Sequence, residues 1–128
     1  MSRENVEVIR RLFEAVDQGD MELFEAVGRK YLGAEFEYQS ELAGEVFSGV
    51  EGGLDFIEEL RATFQGFTTE IEEIIDSGEH VIVVSRQSGQ GSGSRFPLEW
   101  RINIVWTFDR GKLVRGKAFS SRAKPLKR

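Results

Sequence analysis

The segment from Phe96 to Phe108, FPLEWRINIVWTF, constrains the fold more than any other part of the chain. Side chains of an extended chain alternate between two faces, so this segment presents one strongly apolar face and one mostly polar face. The apolar face carries Trp100, Ile102, Ile104, Trp106 and Phe108, and the other carries Glu99, Arg101, Asn103, Val105 and Thr107. Other elements must cover the apolar face, which is therefore either filled core or the wall of a pocket.

Three amphipathic helices are predicted near residues 4–17, 20–30 and 50–64. Their apolar residues recur with the three- to four-residue spacing that places them on one side of a helix. Gly19 ends the first helix, and Asp20 can cap the second. The predicted inward side chains are Val6, Ile9, Leu12, Phe13, Val16, Met21, Phe24, Val27, Leu54, Ile57, Leu60 and Phe64.

The remaining chain has the pattern of β-strands. One strand is predicted at 34–39, a loop that can hold a short strand follows at 40–49, and four longer strands lie at about 67–76, 79–89, 96–109 and 112–121. Ser77-Gly78 and Arg110-Gly111 are typical hairpin turns, and the Gly/Ser-rich segment 89–94 is interpreted as a hairpin end. This order predicts an α+β fold with an antiparallel meander.

Composition excludes several classes of site. A chain of 128 residues with 40% hydrophobic content fits a single domain over 1–128. It has no Cys and only one His, His80, which we interpret as a solvated turn residue. We therefore expect no disulfide, no Cys nucleophile, no metal site and no cofactor. No apolar run approaches the roughly 18 residues of a membrane span, and no apolar signal region follows Met1, so we expect a cytoplasmic protein without a membrane partner.

Charge is unevenly distributed along the chain. Residues 1–79 carry 20 acids and six bases, whereas 80–128 carry two acids and eleven bases. Such asymmetry can mark a nucleic-acid-binding region. It can also mean that basic late strands pack beside acidic early strands, within one chain or across a dimer. The net charge of −5 favours the second interpretation, so we expect no nucleic-acid partner.

The segments RLFEAVDQGDMELFEAV, DSGEHVIVVSRQSGQGSG and VWTFDRGKLVRGKAFSSRA, in this order and spacing, resemble the SnoaL-like branch of the nuclear transport factor 2-like superfamily. The resemblance covers about residues 4–124 and leaves a basic C-terminal tail. It implies a cone-shaped, curved antiparallel sheet wrapped around three helices, with a mouth that admits small, mostly apolar molecules. It also implies a homodimer through the outer sheet face, formed by Arg101, Asn103, Val105, Arg115, Lys117 and Phe119.

The concave face then becomes the candidate ligand site. On the last strand, the side chains predicted to lie on this face are small, namely Val114, Gly116, Ala118 and Ser120, and small residues opposite large aromatics leave volume. The predicted pocket residues are Tyr38, Phe64, Arg86, Trp100, Ile104, Trp106 and Ser120. Arg86 is assigned to the inner face with Ile82, Val84 and Ser88, either as an anchor for a ligand oxygen or paired with Glu70 or Glu73.

The resemblance also places the family's acid-base residues on this sequence. The base of ketosteroid isomerases falls at Tyr38, and the two groups of their oxyanion hole fall at Leu12 and Ile104. The His and Asp of SnoaL-type cyclases fall at Ile104 and at Ser120 or Ser121. None of these side chains suits the chemistry. We therefore predict a pocket protein that binds a small, apolar, oxygen-bearing metabolite.

The alternative is an isomerase, cyclase or lyase on a polyketide-like or steroid-like substrate, assisted by Arg86 and Tyr38. The strand 67–76 distinguishes the enzyme from the binding protein, because a β-bulge there could turn Glu70, Glu72 or Glu73 into the pocket and supply a catalytic carboxylate.

Overall fold

A computed structural model describes residues 2–40, 45–91, 93 and 96–120. Its helices and strands follow the predicted order and depart from the predicted bounds by a few residues. The elements are α1 (Ser2–Gln18), α2 (Met21–Tyr31), β1 (Leu32–Ser40), β2 (Glu45–Ser48), α3 (Gly49–Thr63), β3 (Phe64–Ser77), β4 (His80–Gly91), β5 (Pro97–Asp109) and β6 (Lys112–Ser120). The predicted basic tail lies outside the described residues.

The strands form one curved, unclosed sheet in the order β2-β1-β6-β5-β4-β3. β3 to β6 make the predicted antiparallel meander. The expectation of a wholly antiparallel sheet is wrong at one place, because β1 pairs with β6 in parallel, from Leu32 opposite Leu113 to Ser40 opposite Ala118. Parallel neighbours need a long connection. Here α3 and four strands intervene, so no local pattern fixes this orientation.

Both predicted hairpin turns are confirmed by the backbone. Gly78 has a φ of 74°, and its N–H donates to the Asp76 carboxylate at 3.3 Å. Arg110 and Gly111 have φ values of 55° and 81°, the pair of positive angles that a tight turn between twisted strands requires.

The three helices pack against the concave face of the sheet and close the core. Ile102, Ile104, Trp106 and Phe108 of β5 are buried, and Trp100 packs half-buried at the end of the same row. The apolar face of β5 is therefore the inner face, as predicted. It shares one hydrophobic core with Ile9 of α1 and Ile57 of α3, which are 0% and 1% exposed.

On β4 the predicted face is wrong. Val81, Val83 and Ser85 are fully buried, so their face is the inner one, and Arg86 lies on the outer face of the sheet. The run Val81–Val84 is apolar at every position, so it contains no alternation from which to choose a face. A shift of one residue exchanges every side chain between faces.

Candidate functional site

A cavity of about 80 Å³ lies between the three helices and the concave face of the sheet. Every helix contributes to its wall, as do β1, β3, β4 and β5. The wall consists of Leu12, Phe13, Val16, Phe24, Leu32, Phe36, Tyr38, Gly53, Phe56, Ile57, Leu60, Thr69, Gln87, Ile104 and Trp106. None of these side chains carries a charge, and only Tyr38, Thr69, Gln87 and Trp106 offer polar groups.

Aromatic side chains form one side of this wall. The rings of Tyr38 and Trp106 stack with centroids 5.7 Å apart and an interplanar angle of 24°. Phe56 of α3 packs on Tyr38 at 4.9 Å, and Phe13 of α1 meets Trp106 almost perpendicularly at 6.1 Å. Because two helices and two strands supply these rings, the shape of the cavity depends on the packing of the whole domain.

The small residues of β6 were predicted to leave empty volume opposite the aromatic side chains, but the structure shows that this volume is filled. A side-chain carbon at Gly116 would lie 2.3 Å from Cζ3 of Trp106 and 3.0 Å from Cδ1 of Tyr38, so the two rings already fill the room above this glycine. A bulge between Thr107 and Phe108 also shifts the pairing, and the buried residue opposite Phe108 is Leu113. Val114, which was expected to face inward, is only half-buried.

Two polar atoms of the aromatic wall have no hydrogen-bond partner among the described residues. Nε1 of Trp106 is buried without a hydrogen-bond acceptor among the described residues. No hydrogen bond to the Tyr38 hydroxyl occurs in the described part of the chain either, and burial raises the pKa of this phenol. Tyr38 therefore stays protonated at neutral pH and is a poor general base.

Gln87 and Thr69 line another part of the wall and belong to a hydrogen-bonded chain of polar side chains. Trp100 Nε1 donates to Gln87 Oε1 at 3.0 Å, and Gln87 Nε2 donates to Thr69 Oγ1 at 3.3 Å and to Ser85 Oγ at 3.4 Å. The backbone N–H of Thr69 donates to Asp17 Oδ1 at 2.9 Å. The sequence analysis missed Gln87 because of the wrong face on β4. Ser85 and Gln87 are separated from Val81 and Val83 by even numbers of residues, so all four lie on the same face of β4. This alternation is the only signal in the sequence that places Gln87 on the inner face.

The structure brings together three of the seven predicted pocket residues, Tyr38, Ile104 and Trp106. Phe64 and Trp100 lie beside the cavity, where they pack on each other at 4.9 Å and do not reach its wall. Arg86 lies on the outer face. Ser120 pairs with Ile102 at the end of β6, and its side chain is outside the described part of the structure.

Arg86 belongs to a network of charges on the outer face. Its guanidinium pairs with Glu70 and lies 3.5 Å from Glu99 and 3.9 Å from Glu72. Arg101 donates to Glu72 at 2.7 Å. The hydrogen bond from Arg101 lowers the pKa of Glu72, and the hydrogen bond to Glu70 raises the pKa of Arg86. Acidic β3 thus pairs with basic later strands within one chain, as the charge asymmetry suggested.

The anticipated bulge in β3 exists, but it serves this outer network. The pairing with β4 shifts between Ile71 and Glu73, which leaves Glu72 as the extra residue. Its carboxylate meets Arg101 on the outer face, away from the cavity. The bulge therefore brings no carboxylate to the cavity wall.

The described residues do not support a metal site, a catalytic role for His80 or a membrane-spanning helix. Within the described ranges, no group of three His, Asp or Glu side chains is placed to hold a metal ion. His80 is exposed, and its Nδ1 lies 3.2 Å from Thr107 Oγ1. Across the same ranges, no helix has the length and apolar character needed to cross a membrane.

Helices packed over the concave face of a curved, unclosed sheet, with a cavity between the layers, define an α+β domain of the nuclear transport factor 2-like class. The model of one family in this class, the SnoaL-like domain, matches residues 9–116. The chain therefore belongs to the SnoaL-like domain family. A search of curated proteins gave no significant sequence match.

Solved structures share the fold at low sequence identity. A hypothetical protein with a ketosteroid isomerase-like fold from Catenulispora acidiphila, solved with trimethylamine, is 16% identical, with a TM-score of 0.78 over 91% of this chain and 86% of that one. A putative SnoaL-like polyketide cyclase from Jannaschia is 20% identical, with a TM-score of 0.76 over 93% and 86%. IdmH, a putative polyketide cyclase from Streptomyces antibioticus, is 19% identical, with a TM-score of 0.71 over 91% of each chain.

Proposed function

We propose that this chain binds a small, largely apolar molecule that carries an oxygen, and that the cavity beneath α3 is its site. The observation that carries the proposal is the cavity wall, which is neutral, mostly apolar and supplied with a few polar atoms, one of which, Trp106 Nε1, is buried without a partner among the described residues. Sites for small organic molecules generally have this composition.

The size of the cavity limits the ligand. At about 80 Å³ it is roughly half the volume of the engineered cavity of about 150 Å³ that takes up benzene in another protein. A molecule of a few non-hydrogen atoms therefore fits without rearrangement. The relative from Catenulispora acidiphila was solved with a ligand of this scale, trimethylamine. A steroid-sized or polyketide-sized molecule would require α3 to move away from the sheet.

The chemistry of the wall favours binding over catalysis. Leu12, Tyr38 and Ile104, the positions that match the acid-base groups of ketosteroid isomerases, all line the cavity. The alignment of these positions is therefore spatially consistent, but two of the side chains cannot exchange a proton and the third is a phenol with a raised pKa. General acid-base catalysis works best with a pKa near the working pH. The alternative of an isomerase, cyclase or lyase also loses the assistance of Arg86, which lies outside the cavity.

A fragment screen by ligand-observed NMR, followed by titration, tests the proposal. Leu60→Phe adds volume to a side chain on the cavity wall and should weaken binding of any hit. Leu54→Phe is the matched control, since Leu54 is also half-buried on α3 but does not line the cavity. Arg86→Met should leave binding unchanged. Failure of every small apolar fragment to bind would refute the proposal, as would equal effects of the two leucine variants.

We also propose that two copies associate through the outer sheet face. Register supports a continuous surface there, because Asn103 pairs with Phe119 and Val105 with Lys117. Phe119 and Val105 are half-buried in the single chain, and Lys117 lies 5.5 Å from the Phe119 ring. An aromatic side chain among charged groups suits the centre of an interface.

A further inference from the structure

We infer that the indole N–H of Trp106 is the group that holds the ligand's oxygen, so that the cavity selects neutral molecules with a hydrogen-bond acceptor over hydrocarbons and cations of the same shape. This inference rests on the proposed function of the cavity. It adds the identity of the binding atom and the chemical class of ligand.

The indole N–H of Trp106 is a buried donor without an acceptor among the described residues. The whole residue is 7% exposed. An indole N–H can only donate, and a buried donor without an acceptor is destabilising. The chain shows how the same group is ordinarily satisfied, because Trp100 donates its Nε1 to Gln87 Oε1 at 3.0 Å. Trp106 lines the cavity, so a bound molecule is a candidate for the missing acceptor.

The neighbouring rings do not replace that acceptor. Phe13 stands perpendicular to Trp106 with centroids 6.1 Å apart, and an N–H contact to an aromatic face is a weak interaction. Tyr38 stacks on Trp106, and its hydroxyl makes no hydrogen bond to it. Ligand oxygens with lone pairs, as in ketones, aldehydes, esters and ethers, supply what an indole N–H needs.

The second observation is the absence of charge on the wall. None of the described residues that line the cavity is ionised at neutral pH. A buried charge is strongly unfavourable unless it is paired. The carboxylates of β3 lie on the outer face, and the carboxylate of Asp17 does not line the cavity and already accepts the backbone N–H of Thr69 at 2.9 Å. An ammonium ion that entered the cavity would therefore lose water without gaining a counter-charge, and it could not accept the hydrogen bond of Trp106.

Three ligands of nearly equal shape separate these effects: cyclopentanone, methylenecyclopentane and cyclopentylamine. We expect the ketone to bind at least about tenfold more tightly than the hydrocarbon, from the usual cost of an unsatisfied buried donor. The amine, which is cationic at pH 7, should bind more weakly than either. In Trp106→Phe the ratio of ketone to hydrocarbon affinity should fall to about one, while Trp100→Phe should keep the wild-type ratio.

A second measurement uses the unmodified chain and does not depend on the folding of a variant. The chain has two tryptophans, so its ¹H–¹⁵N spectrum contains two indole signals, which Trp100→Phe assigns. Cyclopentanone should shift the Trp106 indole proton downfield, and methylenecyclopentane should not.

If the hydrocarbon binds and the ketone gains nothing, or if the Trp106 indole signal responds alike to both, the inference is wrong and the cavity remains a binding site. If none of the three ligands binds, this inference is wrong, and the proposed function fails with it only when the fragment screen also yields no binder.

Discussion

The contact between Gly116 and the two stacked rings predicts that Gly116→Ala will destabilise the domain. The added methyl carbon would lie 2.3 Å from Cζ3 and 2.6 Å from Cε3 of Trp106, far inside the usual contact distance of about 3.5–4.0 Å between carbon atoms. Trp106 cannot easily move aside, because Tyr38 stacks on one side and Phe13 stands against it.

Two effects of opposite sign determine how much Gly116→Ala changes the free energy of unfolding. Forcing a methyl group into a packed core typically costs about 1–3 kcal/mol. Replacing a glycine inside a strand by alanine gains about 0.5–1 kcal/mol, because the unfolded chain has less conformational freedom. Gly116 has a negative φ, so no backbone strain is added. We therefore expect the free energy of unfolding to fall by about 1–2 kcal/mol.

Urea unfolding followed by far-ultraviolet circular dichroism measures this change without relying on tryptophan fluorescence, which the substitution itself perturbs. Gly91→Ala is the matched control: Gly91 also lies in a strand, its φ is not positive, and an added side-chain carbon would meet nothing within 4 Å. The control should be as stable as the parent chain or slightly more stable. If Gly116→Ala proves as stable as Gly91→Ala, the reasoning about the filled space above Gly116 is wrong.

Four further predictions follow from the site and the sheet. Above about pH 10 the chain should lose about 1.4 kcal/mol of stability per pH unit relative to Tyr38→Phe, because the folded state keeps a proton that the unfolded chain releases. Urea titrations of both chains at several pH values measure this difference. Ile57→Ala should cost about 2–5 kcal/mol and enlarge the cavity, so that thermal unfolding shifts downward while cyclohexanone binds more tightly in a titration. Light scattering at micromolar concentration should show a dimer that Phe119→Glu converts to monomer, and a monomeric parent chain would contradict the proposed interface. We expect negligible turnover of a β,γ-unsaturated ketosteroid, and measured isomerisation would overturn this expectation.

The elements with a clean pattern were predictable from the sequence. On β5 every inward residue from Trp100 to Phe108 is a large apolar side chain, and only Val105 interrupts the polar face. Burial of Ile102, Ile104, Trp106 and Phe108 follows directly. Helix α1 was equally clear, since its apolar residues recur at helical spacing up to Gly19.

The wrong predictions concern the inner faces of β4 and β6, which depend on interactions between strands. The apolar run Val81–Val84 gives no alternation, so the inner face of β4 is set by its pairing with β3 and β5. On β6, a bulge opposite the Thr107–Phe108 step exchanges Val114 for Leu113. Such shifts depend on how neighbouring strands fit together, and the residues of one strand do not contain this information.

The cavity was therefore predictable in part. Tyr38, Ile104 and Trp106 were found because they lie on strands whose faces were correctly assigned, whereas Arg86 was placed in the cavity and Gln87 was overlooked because of the same one-residue shift. The volume left between helices and sheet depends on the orientations of Trp106 and Tyr38 over Gly116, which no pattern of residue types determines.

The position of β6 between β1 and β5 has a consequence for how the chain folds as it is made on the ribosome. β1 is made before β6, and Leu32 pairs with Leu113, about 80 residues further along; such distant pairing slows folding. Until β6 emerges, β1 and β2 form only a two-stranded ribbon, which is marginally stable in isolation. The nascent chain therefore exposes one unpaired edge of β1 until β6 is made, and unpaired strand edges are prone to pair with other chains.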